Sequence, residues 1–220
     1  IEAILYSAQM ASTSSNVQAY SVIRVTDQQI RSAIQVVTGN QQHVGQYPLF
    51  LVWCADLYRN KLANEKNKSE MISGGMENFI VGTVDTALAA QNAAAAAEAM
   101  GLGVVYIGGI RNDLREVSRL LQLPELVYPV FGMCIGYPDQ DPSVKPRLST
   151  SAILHENTYQ IHEQVVEGID EYDKRIRDYY IERTQGRRDT TWSLEMTDKF
   201  KRKLRPYVKD YLEEQGFRLD

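Results

Sequence analysis

At 220 residues the chain is long enough to bury one well-packed core, and its 44% hydrophobic and 24% charged residues are ordinary globular values. A net charge of −4 supplies no overall attraction to a phosphate backbone, so nucleic acid is not an expected partner. The most apolar stretch, residues 79–97, carries Asp85, Gln91 and Asn92 and does not read as a membrane span, so no membrane partner is expected either.

The opening "IEAILYSAQMAS" puts Ile1, Ile4, Leu5 and Ala8 on one helical face with no cap before it, so the natural protein is expected to begin earlier. "YSVIRV" (20–25) predicts a strand. "TDQQIRSAIQVVTG" predicts a helix with Thr26 or Asp27 as N-cap and Gly39 as its stop. "YPLFLVWCAD" (47–56) is the continuous apolar run of a central strand. Residues 57–72 are charged and poorly periodic, and are expected to form a mobile excursion. A long helix is predicted from about Ser69 to Met100, closed by Gly101. Its alanine-rich centre is apolar around most of the cylinder, which predicts burial on several sides, partly at a subunit interface. "GVVYIGG" predicts a strand, "NDLREVSRLLQL" a helix capped by Asn112 or Asp113, and "LVYPVFGMCIG" a further strand. From Asp141 the pattern turns to loop and then to charged helices within 167–183 and 193–216. This order is that of one sheet-and-helix domain over 1–220, with 141–220 as a loop and helical C-terminal arm. Cys54 and Cys134 sit inside apolar strand patterns and read as buried reduced thiols, which suits the cytoplasm.

Several polar clusters admit both a structural and a chemical reading. Ser12, Thr13, Ser14 and Ser15 offer hydroxyl donors, and such residues also end helices. Gln41 carries a donor and an acceptor that match the edge of a pyrimidine ring, or it belongs to a polar loop. "GLGVVYIGGIRND" (101–113) is not a dinucleotide fingerprint: Tyr106 stands at the third glycine position, and Gly101 and Gly103 open a strand, not a helix. Gly108 and Gly109 either make a tight turn or leave bare backbone against which a flat aromatic ligand can lie. Lys145 and Arg147 flank Pro146, and extended chain sends both to one side, where they reach one phosphate or remain a solvated pair. Arg183, Arg187 and Arg188 form a phosphate clamp or balance Asp178, Glu182 and Asp189. His43, His155 and His162 lack zinc-ligand spacing, no GxSxG occurs, and neither a metal site nor a catalytic triad is expected.

Taken together, "ASTSSNVQAYSVIRVTD", "TGNQQHV", "VDTALAAQNAAAAAEAMGLGVVYIGGIRND", "LPELVYPVFGMCIGYPDQDPSVKPRLS", "HENTY" and "RTQGRRDTTWS" resemble the oxygen-insensitive NADPH nitroreductase / NADPH–FMN flavin reductase family of bacteria. The resemblance covers essentially the whole chain. It implies an α+β fold, a mixed and mainly antiparallel sheet flanked by helices, in an intertwined homodimer with FMN at the interface. By the family pattern Lys145 and Arg147 hold the FMN phosphate and Gln41 bonds the pyrimidine edge. Tyr106, Ile107, Gly108 and Gly109 lie along the ring, with a glycine N–H near N5. Ser12, Thr13, Ser14 and Ser15 reach the flavin from the other subunit, Thr13 replacing a serine common there. Arg183 and Arg188 grip the 2′-phosphate of NADPH, the co-substrate. A His-Arg-Ser-x-Arg stretch by which members also hold the phosphate has no counterpart in this sequence. The implied activity is hydride transfer from NADPH through flavin N5 to nitroaromatics, quinones or free flavin by a ping-pong order, with no catalytic side chain. The alternative is a flavin-binding redox sensor of the same fold.

Overall fold

The computed structural model describes residues 1–72, 75–160 and 162–219. It resolves two compact units, Ile1–Asp139 with Arg205–Asp220, and Gln140–Leu204. The first holds a four-stranded sheet of order β1-β2-β4-β3, made of β1 (Tyr20–Arg24), β2 (Leu49–Asp56), β3 (Gly103–Ile107) and β4 (Val127–Gly136). Every pairing is antiparallel, so among the described residues the sheet is not the mixed one expected.

The central strand β2 alternates its side chains between two cores, as the two-residue period of a strand requires. Leu51 and Trp53 face helix α1 (Glu2–Gln9) and the long helix, joined by Met133 and Ile135 of β4. Phe50, Val52 and Cys54 face the opposite core, formed by Ile34 of α2 (Gln28–Val37), Val44 of α3 (Gln42–Gln46) and Val117 of α6 (Leu114–Leu121). Helices on both faces explain why residues 47–56 read as a continuous apolar run and not as an alternation. Both thiols are buried in the second core: Cys134 is pushed up to about 12 by burial, and Cys54 is raised further.

Boundaries depart from expectation in three places. Residues 57–72 contain helix α4 (Tyr58–Lys66), started by the Asp56 carboxylate accepting the Tyr58 N–H at 2.9 Å and seated on the buried Leu57. The long helix α5 runs Met76–Ala99, so its start lies later than Ser69, after the extended residue Gly75. The helical tail divides: α9 (Trp192–Phe200) belongs to the second unit, whereas α10 (Val208–Glu214) returns to the first, where Tyr211, Leu212 and Phe217 pack on Leu57, Leu114 and Leu126. Pro206 lies between them and cannot continue a helix.

Strand β4 is interrupted where the sequence pattern is not. Trp53 pairs with Phe131 and Cys54 with Pro129, so Val130 is an extra residue, a bulge beside a proline that has no N–H to give the ladder. Helix α5 approaches the sheet very closely: a Cβ on Gly82 would lie 3.1 Å from the Ala55 Cβ, and Ala89, Ala90, Ala93, Ala94 and Ala97 are all buried. Gly82→Val is therefore expected to lower unfolding free energy by about 2 kcal/mol, with Gly82→Ala costing less, as urea denaturation would show.

Candidate functional site

The double-glycine segment folds as a short 3-10 turn, Gly108–Asn112, at the end of β3. The Ile107 and Ile110 side chains are buried, so Ile107 can meet a ligand only through its backbone. Tyr106 points the other way, 42% exposed, its ring edge-on to Phe131 at 5.1 Å between centroids. Gly108 and Gly109 are half-buried, so packed side chains do not seal the bend.

Gln41 is brought to this bend. A Cβ on Gly109 would lie 2.8 Å from Gln41 Nε2 and 3.0 Å from the Thr38 carbonyl oxygen. Glycine here is thus required by close approach. Gln41 Nε2 donates to Thr38 O at 3.2 Å, and its Oε1 has no partner among the described residues. An amide with a free acceptor beside bare backbone suits the donor-acceptor edge of a flat heterocycle.

Two arginines that sequence reasoning did not assign hold the bend. Arg111 Nη1 donates to Val130 O at 2.5 Å, using the carbonyl that the bulge makes available. Arg205 Nη2 donates to Asn112 Oδ1 at 2.9 Å and to Gly108 O at 3.5 Å. Neither makes an ion pair with a carboxylate among the described residues. Burial, and then the neighbouring Arg205 charge, lower the Arg111 pKa. Arg205 sits at φ 49, in a region disfavoured for a residue with a side chain. Tyr207 completes the brace, its hydroxyl donating to Arg111 O at 2.6 Å and accepting from Leu114 N at 3.0 Å. A third arginine, Arg31 of α2, is buried and donates to Val44 O and Tyr47 O, fixing the α3 segment that follows Gln41.

Ser14 and Ser15 lie in another 3-10 turn, Ser14–Asn16, with Ser12, Ser14 and Ser15 exposed. Thr13 Oγ1 accepts the Gln18 N–H at 3.4 Å. Ser15, Asn16 and Gln18 all have positive φ (46, 59 and 53), a conformation in which a side chain is strained. The fully buried Asp85 of α5 holds the turn, its two oxygens accepting the N–H of Ser14 at 3.0 Å and of Ala19 at 3.1 Å. No hydrogen bond among the described residues joins this turn to Gln41 or to the bend. A hollow of about 790 Å³ lies elsewhere, between α1, β1 and α4, and none of the predicted site residues lines it.

In the second unit, helix α8 (Glu163–Thr184) organises the cations. Its Tyr172 hydroxyl donates to Pro146 O at 3.0 Å and its Arg175 to Arg147 O at 3.1 Å, which pins the Lys145–Arg147 backbone. The two side chains take different partners, contrary to the expectation from extended chain. Arg147 Nη1 donates to Lys145 O and Pro146 O at 3.1 and 3.2 Å. Lys145 Nζ lies 5.3 Å from the Tyr180 ring centroid. Arg188 stacks on the same ring at 3.7 Å and pairs with Glu195, and Arg183 lies over Tyr179 at 5.7 Å and donates to its hydroxyl. Asp189 is not their counter-ion: Arg177 forks onto it at 2.5 and 2.9 Å.

Residues 1–137 match the profile of the nitroreductase family, and residues 145–220 that of the nitroreductase family, C-terminal domain. The chain belongs to the nitroreductase family. It is 48% identical to the FMN reductase (NADPH) of Bacillus subtilis, over 99% of this chain and 88% of that protein. It is 41% identical to the oxygen-insensitive NADPH nitroreductase of Salmonella typhimurium, over 98% of this chain and 88% of that one. Among solved structures, a B. subtilis nitroreductase superposes with a TM-score of 0.93 at 45% identity, covering 98% of this chain and 88% of that chain. The NADPH:FMN oxidoreductase of Vibrio harveyi complexed with NAD+ gives 0.88 at 40% identity, over 98% and 87%.

Asp85→Ala would leave two N–H groups without an acceptor and release the strained turn. The expected cost is about 3 kcal/mol of unfolding free energy, with Asp85→Asn milder because it keeps one acceptor; chemical denaturation measures both.

Proposed function

We propose that the chain is an FMN-dependent oxidoreductase that draws on NADPH and delivers to small electron acceptors, namely nitroaromatics, quinones or free flavin. The observation that carries this reading is the Gln41 amide set against the bare backbone of Gly109, with uncompensated guanidinium charge beside it. These residues fit a planar ring with a pyrimidine edge. Gln41 would bond that edge, Gly108 and Gly109 would present N–H groups to the ring, and Tyr106 and the Ile107 backbone would flank it. FMN held there would supply the hydride-transfer chemistry between NADPH and the second substrate.

The chain's residues supply position and charge. Arg111 and Arg205 favour a gain of negative charge at the bend, which a preorganised site stabilises without rearrangement. Lys145 and Arg147 would tether the FMN phosphate, and Arg183 and Arg188 the 2′-phosphate of NADPH, as guanidinium forks match phosphate oxygens. No side chain is needed as a general acid or base. NADPH and acceptor would use the site in turn, a ping-pong order.

A homodimer belongs to this reading. Met76, Ile80, Val84 and Leu88 recur every fourth residue along α5 and are 43–48% exposed, an apolar stripe suited to the same helix of a second copy. Ser12, Thr13, Ser14 and Ser15 would then serve the partner's flavin. No helix among the described residues is long and apolar enough to cross a membrane, and the free buried thiols agree with a cytoplasmic setting.

The purified protein is expected to show flavin absorption bands that NADPH bleaches; bands that persist with NADPH would leave a flavin-binding protein without this activity. Gly109→Ala should displace Gln41 and lower FMN affinity at least tenfold, read as flavin retained after gel filtration. Arg183→Ala or Arg188→Ala should raise KM for NADPH about tenfold and leave KM for NADH within twofold; an equal effect on both would remove the clamp assignment.

A further inference from the structure

We infer that Asn112 is a positioning residue for the proposed flavin site. Its neutral amide holds Arg205 against the double-glycine bend without cancelling the arginine's charge, and ties the bend to the end of α2 that precedes Gln41. The inference rests on the proposed function and adds to it a residue that acts through Arg205 and Gln41.

Asn112 and Asp113 both suit the N-terminus of α6, but one of them suffices. Asp113 Oδ1 accepts the Glu116 N–H at 3.0 Å and caps the helix. Asn112, the last residue of the 3-10 turn, is thereby released, and its amide faces two ways. Nδ2 donates to Val37 O at 3.1 Å. Oδ1 accepts from Arg205 Nη2 at 2.9 Å and from Arg205 Nε at 3.3 Å. A backbone carbonyl can only accept and a guanidinium can only donate, so the bridging side chain must offer one group of each kind. An amide carries them on separate atoms; a carboxylate has no donor for Val37 O.

The two bonds reach both halves of the site. Val37 precedes Thr38, whose carbonyl accepts from Gln41 Nε2 at 3.2 Å and would lie 3.0 Å from a Cβ on Gly109. Thr38 is buried and its hydroxyl donates to Gln35 O at 2.7 Å, so this turn is continuous with α2. Holding Val37 O therefore fixes the separation of Gln41 from the bend. On the other side, Arg205 reaches Gly108 O at 3.5 Å, a contact too long to fix the guanidinium by itself. The bonds to Asn112 supply that fixation. The Arg205 charge is felt here, since after burial it is the next cause of the lowered Arg111 pKa. A carboxylate at position 112 would pair with Arg205 and cancel a charge that favours the reduced, anionic form of FMN.

The test uses the full chain reconstituted with FMN. Quenching of flavin fluorescence gives the affinity for oxidised FMN, and equilibration with a redox dye gives the midpoint potential of the bound flavin. Together they give the ratio of affinities for the reduced and oxidised forms. Asn112→Asp should lower that ratio about tenfold, a potential about 30 mV more negative for a two-electron couple. Asn112→Ala leaves Arg205 charged but loose; it should weaken oxidised FMN about fivefold and lower the ratio less than Asn112→Asp does. Arg205→Gln should lower the ratio as Asn112→Asp does, and the double variant should add nothing further. Asn112 is exposed, so its variants are expected to fold. A residue that merely stabilised the turn would weaken both forms equally and leave the potential unmoved. If Asn112→Asp leaves the ratio unchanged while Arg205→Gln lowers it, the inference is overturned and the proposed function stands. If neither variant moves the ratio, the Arg205 charge does not act on the flavin and the inference is overturned as well. Wild-type protein that binds no FMN would remove the proposed function and the inference with it.

Discussion

The distance between helix α5 and the sheet constrains the rest of the N-terminal unit. Only hydrogen or methyl side chains fit where Gly82 meets Ala55 and where the run from Ala89 to Ala97 lies against Leu51, Trp53 and Met133. Close approach lets one helix contact β2 and α1 together, so that its buried face is used on two sides. A small-residue face buries little area per residue. The helix compensates through length, Met76–Ala99, and through the stripe of Met76, Ile80, Val84 and Leu88, which stays exposed in one chain and gains burial only against another surface. The same face explains the position of Asp85. Two backbone N–H groups satisfy its carboxylate, with no cation paired to it among the described residues, and this ties the Ser14–Ala19 segment to the helix.

A second constraint shapes the bend. Pro129 cannot donate to the ladder, Val130 bulges, and its carbonyl turns to Arg111. A bulge commonly re-aims a strand beside a site. Here it creates the acceptor that anchors the turn carrying Gly108 and Gly109. The arginine is anchored through a neutral carbonyl, so its charge is held in place without being cancelled. Arg205 repeats the device on the other side of the turn, bonding Asn112 Oδ1 and Gly108 O, also neutral groups.

Local pattern made the core legible. Strands stand within the apolar runs at 20–25, 47–56, 103–109 and 126–136, the third ending at Ile107, and of the cap alternatives Thr26 or Asp27 and Asn112 or Asp113 the aspartates are the caps. Period and capping are properties of a few consecutive residues, so sequence carries them. The braces of the site were not legible, because each joins distant positions: Arg31 to Val44, Asp85 to Ser14, Arg111 to Val130, Arg205 to Asn112. An arginine in an amphipathic helix such as α2 reads as a solvated cation, and nothing near Arg31 in the chain marks it as buried. Asp85 gave a sign, as an acid inside an apolar run, but not its partners. The helix inside residues 57–72 was not legible because α4 is polar on nearly all sides, with its start fixed by Asp56 and Leu57.

The second unit shows why charge near charge in sequence is a poor guide to ion pairing. Arg183, Arg187 and Arg188 stand among Asp178, Glu182 and Asp189, and mutual neutralisation is the simplest reading of that run. The helix spaces them otherwise. Asp189 is committed to Arg177 in a two-pronged pair, Arg188 reaches Glu195, and Arg183 and Lys145 rest on tyrosine faces. An exposed cation on an aromatic ring gains about 0.5–1 kcal/mol, whereas a charge-assisted bond to phosphate is worth roughly 1.5–3 kcal/mol. Tyrosine therefore orders these side chains more weakly than a phosphate would bind them. A carboxylate in the same place would compete with the ligand for the same donors. Aromatic storage keeps a positive site ordered yet available, and that is the physical reason a row of tyrosines on one face of α8 suits recognition of an anion better than a row of acids.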